Sequence, residues 1–112
     1  MENLKLKTNL PYGPKEMEVR LVVNNYVDRN KLYLALWSLE DGYWEPYCDL
    51  TRCLDGKIPA DCAFVDTNNA PWAEQFIVEN GLGEFTHMVG YSGFCTYPLY
   101  HFNMERIKEL TE

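Results

Sequence analysis

Four cysteines and two histidines are the side chains in this sequence best suited to hold a metal ion or act as a nucleophile: Cys48, Cys53, Cys62, Cys95, His87 and His101. Cys48 and Cys53 have four residues between them, the upper end of zinc-ligand spacing, and Cys95 and His101 have five. On one uninterrupted strand Cys48 and Cys53 point to opposite faces. Cys95 and His101 share a face, but six extended residues span roughly 20 Å, too far for one ion without a bend at Pro98. The same distance weighs on a Cys-His-Asn arrangement built from Cys95, His101 or His87, and Asn68 or Asp66. The cysteines therefore read as small buried hydrophobes, with no metal and no cofactor expected.

Other catalytic patterns fail on single residues. Ser92 lies in Gly90-Tyr91-Ser92-Gly93-Phe94, which misses the nucleophile-elbow pattern because position 94 is Phe. Gly81-Leu82-Gly83 lacks the third glycine of a dinucleotide loop, with Thr86 in its place. Gly90 to Gly93 has the spacing of an RNA-backbone clamp, yet no Lys or Arg lies between Ile58 and Glu105 to hold phosphate. Glu40 and Asp41 adjoin in a turn, where exposure to solvent disfavours general acid catalysis. No residue is assigned a catalytic role.

Two segments keep alternatives open. Asp66-Thr67-Asn68-Asn69 carries three side chains suited to turning back on the local backbone and capping the start of a helix. The alternative is a small-ligand pocket or hydrolase site between residues 66–72 and 92–100. Asp66 and Asn68 would form its polar rim, Trp72 a wall, and Ser92 and Cys95 the opposite side. Tyr91 to Phe102 contains Tyr91, Phe94, Tyr97, Tyr100 and Phe102. Alternation buries Phe94, Tyr100 and Phe102 and turns Tyr91 and Tyr97 the other way, into half-buried core or a partner-binding patch.

The elements that must position these residues are legible from periodicity and turn chemistry. Residues 1–17 have no clear period, and Pro11-Tyr12-Gly13-Pro14 reads as a turn in a loose lead-in. Glu18 to Val27 alternates as a half-buried strand, and Asp28-Arg29-Asn30 supplies a turn. Lys31 to Leu39 is apolar on both faces and fits the middle of a sheet. Asp41-Gly42 signals a hairpin, so Tyr43 to Leu54 runs back antiparallel, with Pro46 marking an edge, bulge or break. A loop spans Leu54 to Pro59, and Cys62 to Val65 is a short buried strand. A helix opens near Pro71 with Trp72, Ala73, Phe76 and Ile77 on one stripe, and ends at Asn80-Gly81-Leu82. Glu84 to Val89 and Phe94 to Phe102 are extended. Asn103 caps a short last helix with Met104, Ile107 and Leu110 inward, Phe102 and Ile107 standing where a hydrophobic staple pairs them. The expected fold is α+β: a mostly antiparallel sheet of about five to six strands, one central helix and a short C-terminal helix. It forms a single domain over 18–112.

The 112 residues suit one domain. A 46% hydrophobic and 24% charged composition is that of an ordinary globular domain, and no run is long enough to span a membrane. Met1 to Lys7 lacks the apolar stretch of an export signal, so the reducing cytoplasm is expected and the cysteines stay thiols. Net charge is −7 and unevenly placed: residues 1–31 carry six basic and four acidic side chains, residues 32–105 two and eleven. Direct binding to a nucleic-acid backbone is disfavoured. An acidic centre that docks on a basic surface is not.

The segments Phe64-Val65-Asp66-Thr67-Asn68-Asn69-Ala70-Pro71-Trp72-Ala73-Glu74 and Ser92-Gly93-Phe94-Cys95-Thr96-Tyr97-Pro98-Leu99-Tyr100 resemble those of a small bacterial family of unknown function. The likeness covers about residues 18 to 110. Such proteins are carried by phages, plasmids and conjugative elements of Gram-positive gut bacteria, which implies an accessory protein of a mobile element. No catalytic residues carry over. The resulting expectation is a non-enzymatic interaction module, monomer or homodimer, that modulates a host nucleic-acid enzyme. Its partner-binding residues are Glu40, Asp41, Trp44, Glu45 and Asp49, with Tyr91 and Tyr97 as further aromatic contacts.

Overall fold

Alternation of leucine or valine with charged residues starts the first sheet, at Leu4 to Lys7 and Glu18 to Leu21. The computed structural model describes residues 3–10, 13–25, 31–54 and 57–111. Strands β1 (Leu4–Leu10), β2 (Gly13–Asn25), β3 (Leu32–Glu40) and β4 (Tyr43–Asp49) form an antiparallel meander in that order. Leu4, Leu6, Val19, Leu21, Leu32, Leu34 and Leu36 are buried on one face, while Lys5, Lys7, Glu16 and Glu18 are exposed on the other. The lead-in expected over residues 1–17 is thus corrected: β1 and the start of β2 lie there. Two leucines are too short a signal for a period, and pairing supplies the rest by setting Leu4 opposite Val19 and Leu6 opposite Met17.

The second sheet has the order β5-β6-β8-β7, from β5 (Thr51–Arg52), β6 (Cys62–Val65), β7 (Gly83–Ser92) and β8 (Cys95–Phe102). Helices α1 (Ala73–Glu79) and α2 (Met104–Thr111) complete an α+β fold with eight strands among the described residues, more than the five or six expected. The surplus comes from β1 and from β5, which the expected single strand Tyr43 to Leu54 had absorbed. Asp28-Arg29-Asn30, Pro11, Tyr12, Asp55 and Gly56 lie outside the described residues.

One residue joins the sheets. The Leu50 N–H donates to the Leu34 carbonyl at 2.9 Å, and the Leu50 carbonyl accepts from the Asp66 N–H at 2.8 Å. The Leu34 N–H in turn donates to the Thr51 hydroxyl at 3.1 Å. Both backbone groups of Leu50 are therefore paired as the chain passes from β4 to β5. Pro46 acts as anticipated for an edge strand: the β3–β4 register slips so that Leu36 faces Cys48 and Trp37 faces Pro46, leaving Tyr47 as an extra residue.

The main core combines both sheets with both helices: Leu34, Leu36, Val65, Phe76, Ile77, Tyr100, Phe102, Ile107 and Leu110 belong to it. Helix ends follow the local rules. Gly81 takes φ +67°, its N–H donates to Val78, and the Leu82 N–H reaches back to Ile77, the two bonds of a Schellman end. The Asn103 side chain accepts the Arg106 N–H at 3.2 Å and caps α2. A second cluster lies on the other face of β6 and β8, where Leu54, Cys62, Phe64, Tyr97 and Leu99 pack together. This corrects three expectations, the first being that Tyr91 shares the Tyr97 face: it pairs with Thr96, on the face of Tyr100. Tyr97 does point away from Tyr100 and Phe102, but the cluster with Leu54 and Phe64 buries it. Phe94, expected inside, follows Gly93 (φ +60°) at the β7–β8 turn and is fully exposed.

Candidate functional site

The β3–β4 hairpin carries the acidic residues singled out from sequence. Asp41 (φ +50°) and Gly42 (φ +83°) make a two-residue turn with both central residues left-handed, the geometry that matches strand twist. It holds Glu40, Asp41, Tyr43 and Glu45 exposed beyond the core. Neighbouring strand β2 adds Glu16 and Glu18. Together with Met17, Leu39, Glu40 and Asp41 they line one open cavity of about 490 Å³. Lys5 reaches Glu16 at 3.3 Å from β1. Four carboxylates around one concavity favour a cationic side chain, and the exposed Leu39 and Tyr43 beside them offer apolar contact.

The solvent face of the first sheet adjoins this tip. The Arg20 guanidinium lies 4.1 Å from the Trp44 ring centre and donates to the Asn3 side chain at 2.8 Å. Arg20, Val22, Trp37 and Trp44 line a cleft of about 320 Å³. Trp44 is therefore half-buried with one ring face occupied, a platform rather than a free anchor. Asp49 accepts a 2.6 Å hydrogen bond from the Tyr33 hydroxyl and so is already engaged.

The residues proposed to frame a ligand pocket do not converge as a set. Asp66 is buried, and both its carboxylate oxygens are used at the turn: Asn69 donates its N–H at 3.3 Å to one and its side-chain amide at 3.0 Å to the other. Arg52 stands 4.0 Å away and lies over the Tyr97 ring at 5.5 Å. This is the turning back on the local backbone read from Asp66-Thr67-Asn68-Asn69, but it caps no helix: α1 begins at Ala73 behind Trp72 with no side-chain cap, and Asn68 is left exposed. Trp72 stacks with Tyr47 at 6.4 Å and lines a different cavity with Lys5, Leu6 and Phe76. Ser92 pairs with Cys95 at the far end of the β7–β8 hairpin. Only Asp66 and Cys95 come near a common group, the buried Tyr97 phenol, which burial and then a hydrogen bond with Cys95 hold above its usual range. Cys95 and His101 begin and nearly end one unbroken strand, so Pro98 does not fold them together. The thiols of Cys48 and Cys62 are pushed up first by burial and then by Asp49 and Asp61, which lowers their reactivity.

Residues 20–112 match the family described as a domain of unknown function, DUF4313. The chain belongs to the DUF4313 family. No curated protein and no solved structure matches it. The match to the family agrees with the resemblance read over about residues 18 to 110, and it begins inside β2. Glu16, Glu18 and all of β1 precede the matched span.

This DUF4313 chain also holds groups that sequence spacing did not reveal. His101 Nε2 donates to the Asp61 carboxylate at 2.7 Å, and its Nδ1 lies 3.9 Å from Glu84. Forty residues separate Asp61 from His101, and only the β6–β8 pairing of Cys62 with His101 makes them neighbours. They line an open cavity of about 520 Å³ with Gly83, Asn103 and Glu105. The His101 hydrogen bond holds the Asp61 carboxyl below its usual value. A depressed folded-state pKa means the unfolded chain takes up the proton first on acidification. The pair's stabilisation is thus complete above the usual carboxylate range near pH ~4 and is lost as pH falls through the folded value. Urea titrations at about pH 6 and about pH 3 should show a smaller acid loss for Asp61→Asn than for the parent. An equal loss in both would remove Asp61 as a source of acid sensitivity.

Proposed function

We propose that this DUF4313 chain is a non-enzymatic interaction module whose β3–β4 tip docks on a basic surface of another protein. The single observation that supports this reading is the gathering of Glu16, Glu18, Glu40 and Asp41 around one open cavity, beside exposed Leu39 and Tyr43. Opposite charge accelerates encounter, and an aromatic side chain seated in a partner pocket sets the lifetime of the complex. Tyr43 takes the anchoring role expected of Trp44 or Tyr97, since Arg20 covers one face of Trp44 and Tyr97 is buried. A surface that fits this tip is the basic groove of a nucleic-acid enzyme. The family resemblance adds a setting, an accessory protein of a mobile element acting on a host enzyme in the cytoplasm.

The test compares the parent chain with the triple variant Glu40→Lys, Asp41→Lys, Glu45→Lys as affinity baits in a Gram-positive host lysate. An unrelated acidic domain of similar size serves as control. The expected result is one stoichiometric basic protein held by the parent and lost by the variant, with an association rate that falls at least about tenfold between about 50 and 500 mM salt. Equal capture by the variant, a salt-independent rate, or nothing above the control would each overturn the reading.

A further inference from the structure

The β7–β8 hairpin presents an apolar strip that none of the described residues covers. Met88 to Tyr100 contains no charged residue, in a chain of net charge −7. Register sets Val89 opposite Pro98 and Tyr91 opposite Thr96, on the face that further along carries Tyr100 and Phe102 into the core. The core stops at Tyr100. Beyond it Val89 is 44% exposed, Tyr91 73%, and Phe94 completely so. The strip is a continuation of the core face without its cover.

Strand β7 is also the edge of the second sheet. Its first half is blunted: the register slips between Phe85 and Val89, His87 takes φ +68°, and the Thr86 hydroxyl fills in by donating to the Leu99 carbonyl at 2.8 Å. Its second half, Val89 to Ser92, has no proline, bulge or charge, the devices that keep monomeric edges apart.

We infer that a second copy of the chain covers this strip, with the two β7 edges pairing antiparallel about a two-fold axis near Gly90. Charge selects this occupant. The strip offers a basic partner no carboxylate and an acidic partner no cation, whereas a second copy brings an equally uncharged strip, so the contact sets no charge against a like one. Antiparallel edge pairing is its own two-fold, so each copy contributes the same residues. With Gly90 on the axis, the position facing Glu84 is 96, which lies on β8 and not on the partner edge, so no carboxylate opposes another along the seam. Tyr91 of each copy then lies against Val89 of the other.

Sedimentation of the full chain at about 1 to 200 μM tests this directly. The expected result is a concentration-dependent species of twice the 13.1 kDa chain mass, unweakened by raising salt to about 500 mM. Val89→Lys and Tyr91→Glu should each raise the dissociation constant at least about tenfold, with circular dichroism unchanged because both side chains are already exposed. Tyr43→Glu, on the other hairpin, should leave it unaltered. A monomer throughout, or a dimer indifferent to both β7 variants, would overturn the inference and leave the β3–β4 reading standing.

Discussion

Phe102→Ala is expected to remove about 3–5 kcal/mol of folding stability, the range for truncating a fully buried aromatic. Phe102 is 1% exposed, packs against Tyr100 at 6.3 Å between ring centres, and shares the main core with Ile107 and Leu82. Its backbone N–H donates to the Asp61 carbonyl at 2.8 Å, so the strand stays anchored and cannot collapse onto the void. A domain of this size has roughly 5–15 kcal/mol in all, so the variant should sit near the edge of folding. Urea unfolding of both proteins measures it. Val78→Ala is the control: that residue is 60% exposed on α1, and its truncation should change stability by less than about 0.5 kcal/mol. A loss under about 1 kcal/mol at Phe102 would mean the core is looser there than its burial indicates.

The second large effect is at the bend between the sheets. Leu50→Pro should cost roughly 3–6 kcal/mol, combining loss of a buried leucine with an unsatisfied carbonyl. The carbonyl is that of Leu34, which accepts the Leu50 N–H that proline lacks. Leu50→Ala separates the two contributions. It keeps both backbone bonds and should fall about 1–3 kcal/mol short of the proline variant. If the two variants unfold at the same urea concentration, the bend is held by packing alone.

What was legible in the sequence is what local chemistry decides. Asp41-Gly42 announced its turn, Gly81 and Leu82 the end of α1, and Asn103 the start of α2, because each rests on neighbouring backbone groups. Pro46 announced irregularity at an edge for the same reason. The rest depended on partners distant in the chain. Alternation gave Tyr97 its face, yet whether that face is wet depends on Leu54 and Phe64. The acidic tip was visible only in part, since Glu16 and Glu18 join Glu40 and Asp41 through β2–β3 pairing. Phe94 was assigned to a strand and belongs to a turn. Asp61 gave no signal before β6 and β8 were seen to pair.

The strand order carries a kinetic consequence. Every pairing in the first sheet joins strands adjacent in sequence, so it can form as successive hairpins with short loops to close. The second sheet is different, because its β6–β8 pairing joins strands separated along the chain by α1 and β7. Closing that longer loop carries more entropy loss before any contact offsets it. The β6–β8 pairing is therefore expected to be the late step, and Leu50, bonded to Leu34 on one side and Asp66 on the other, stands where the two halves are joined.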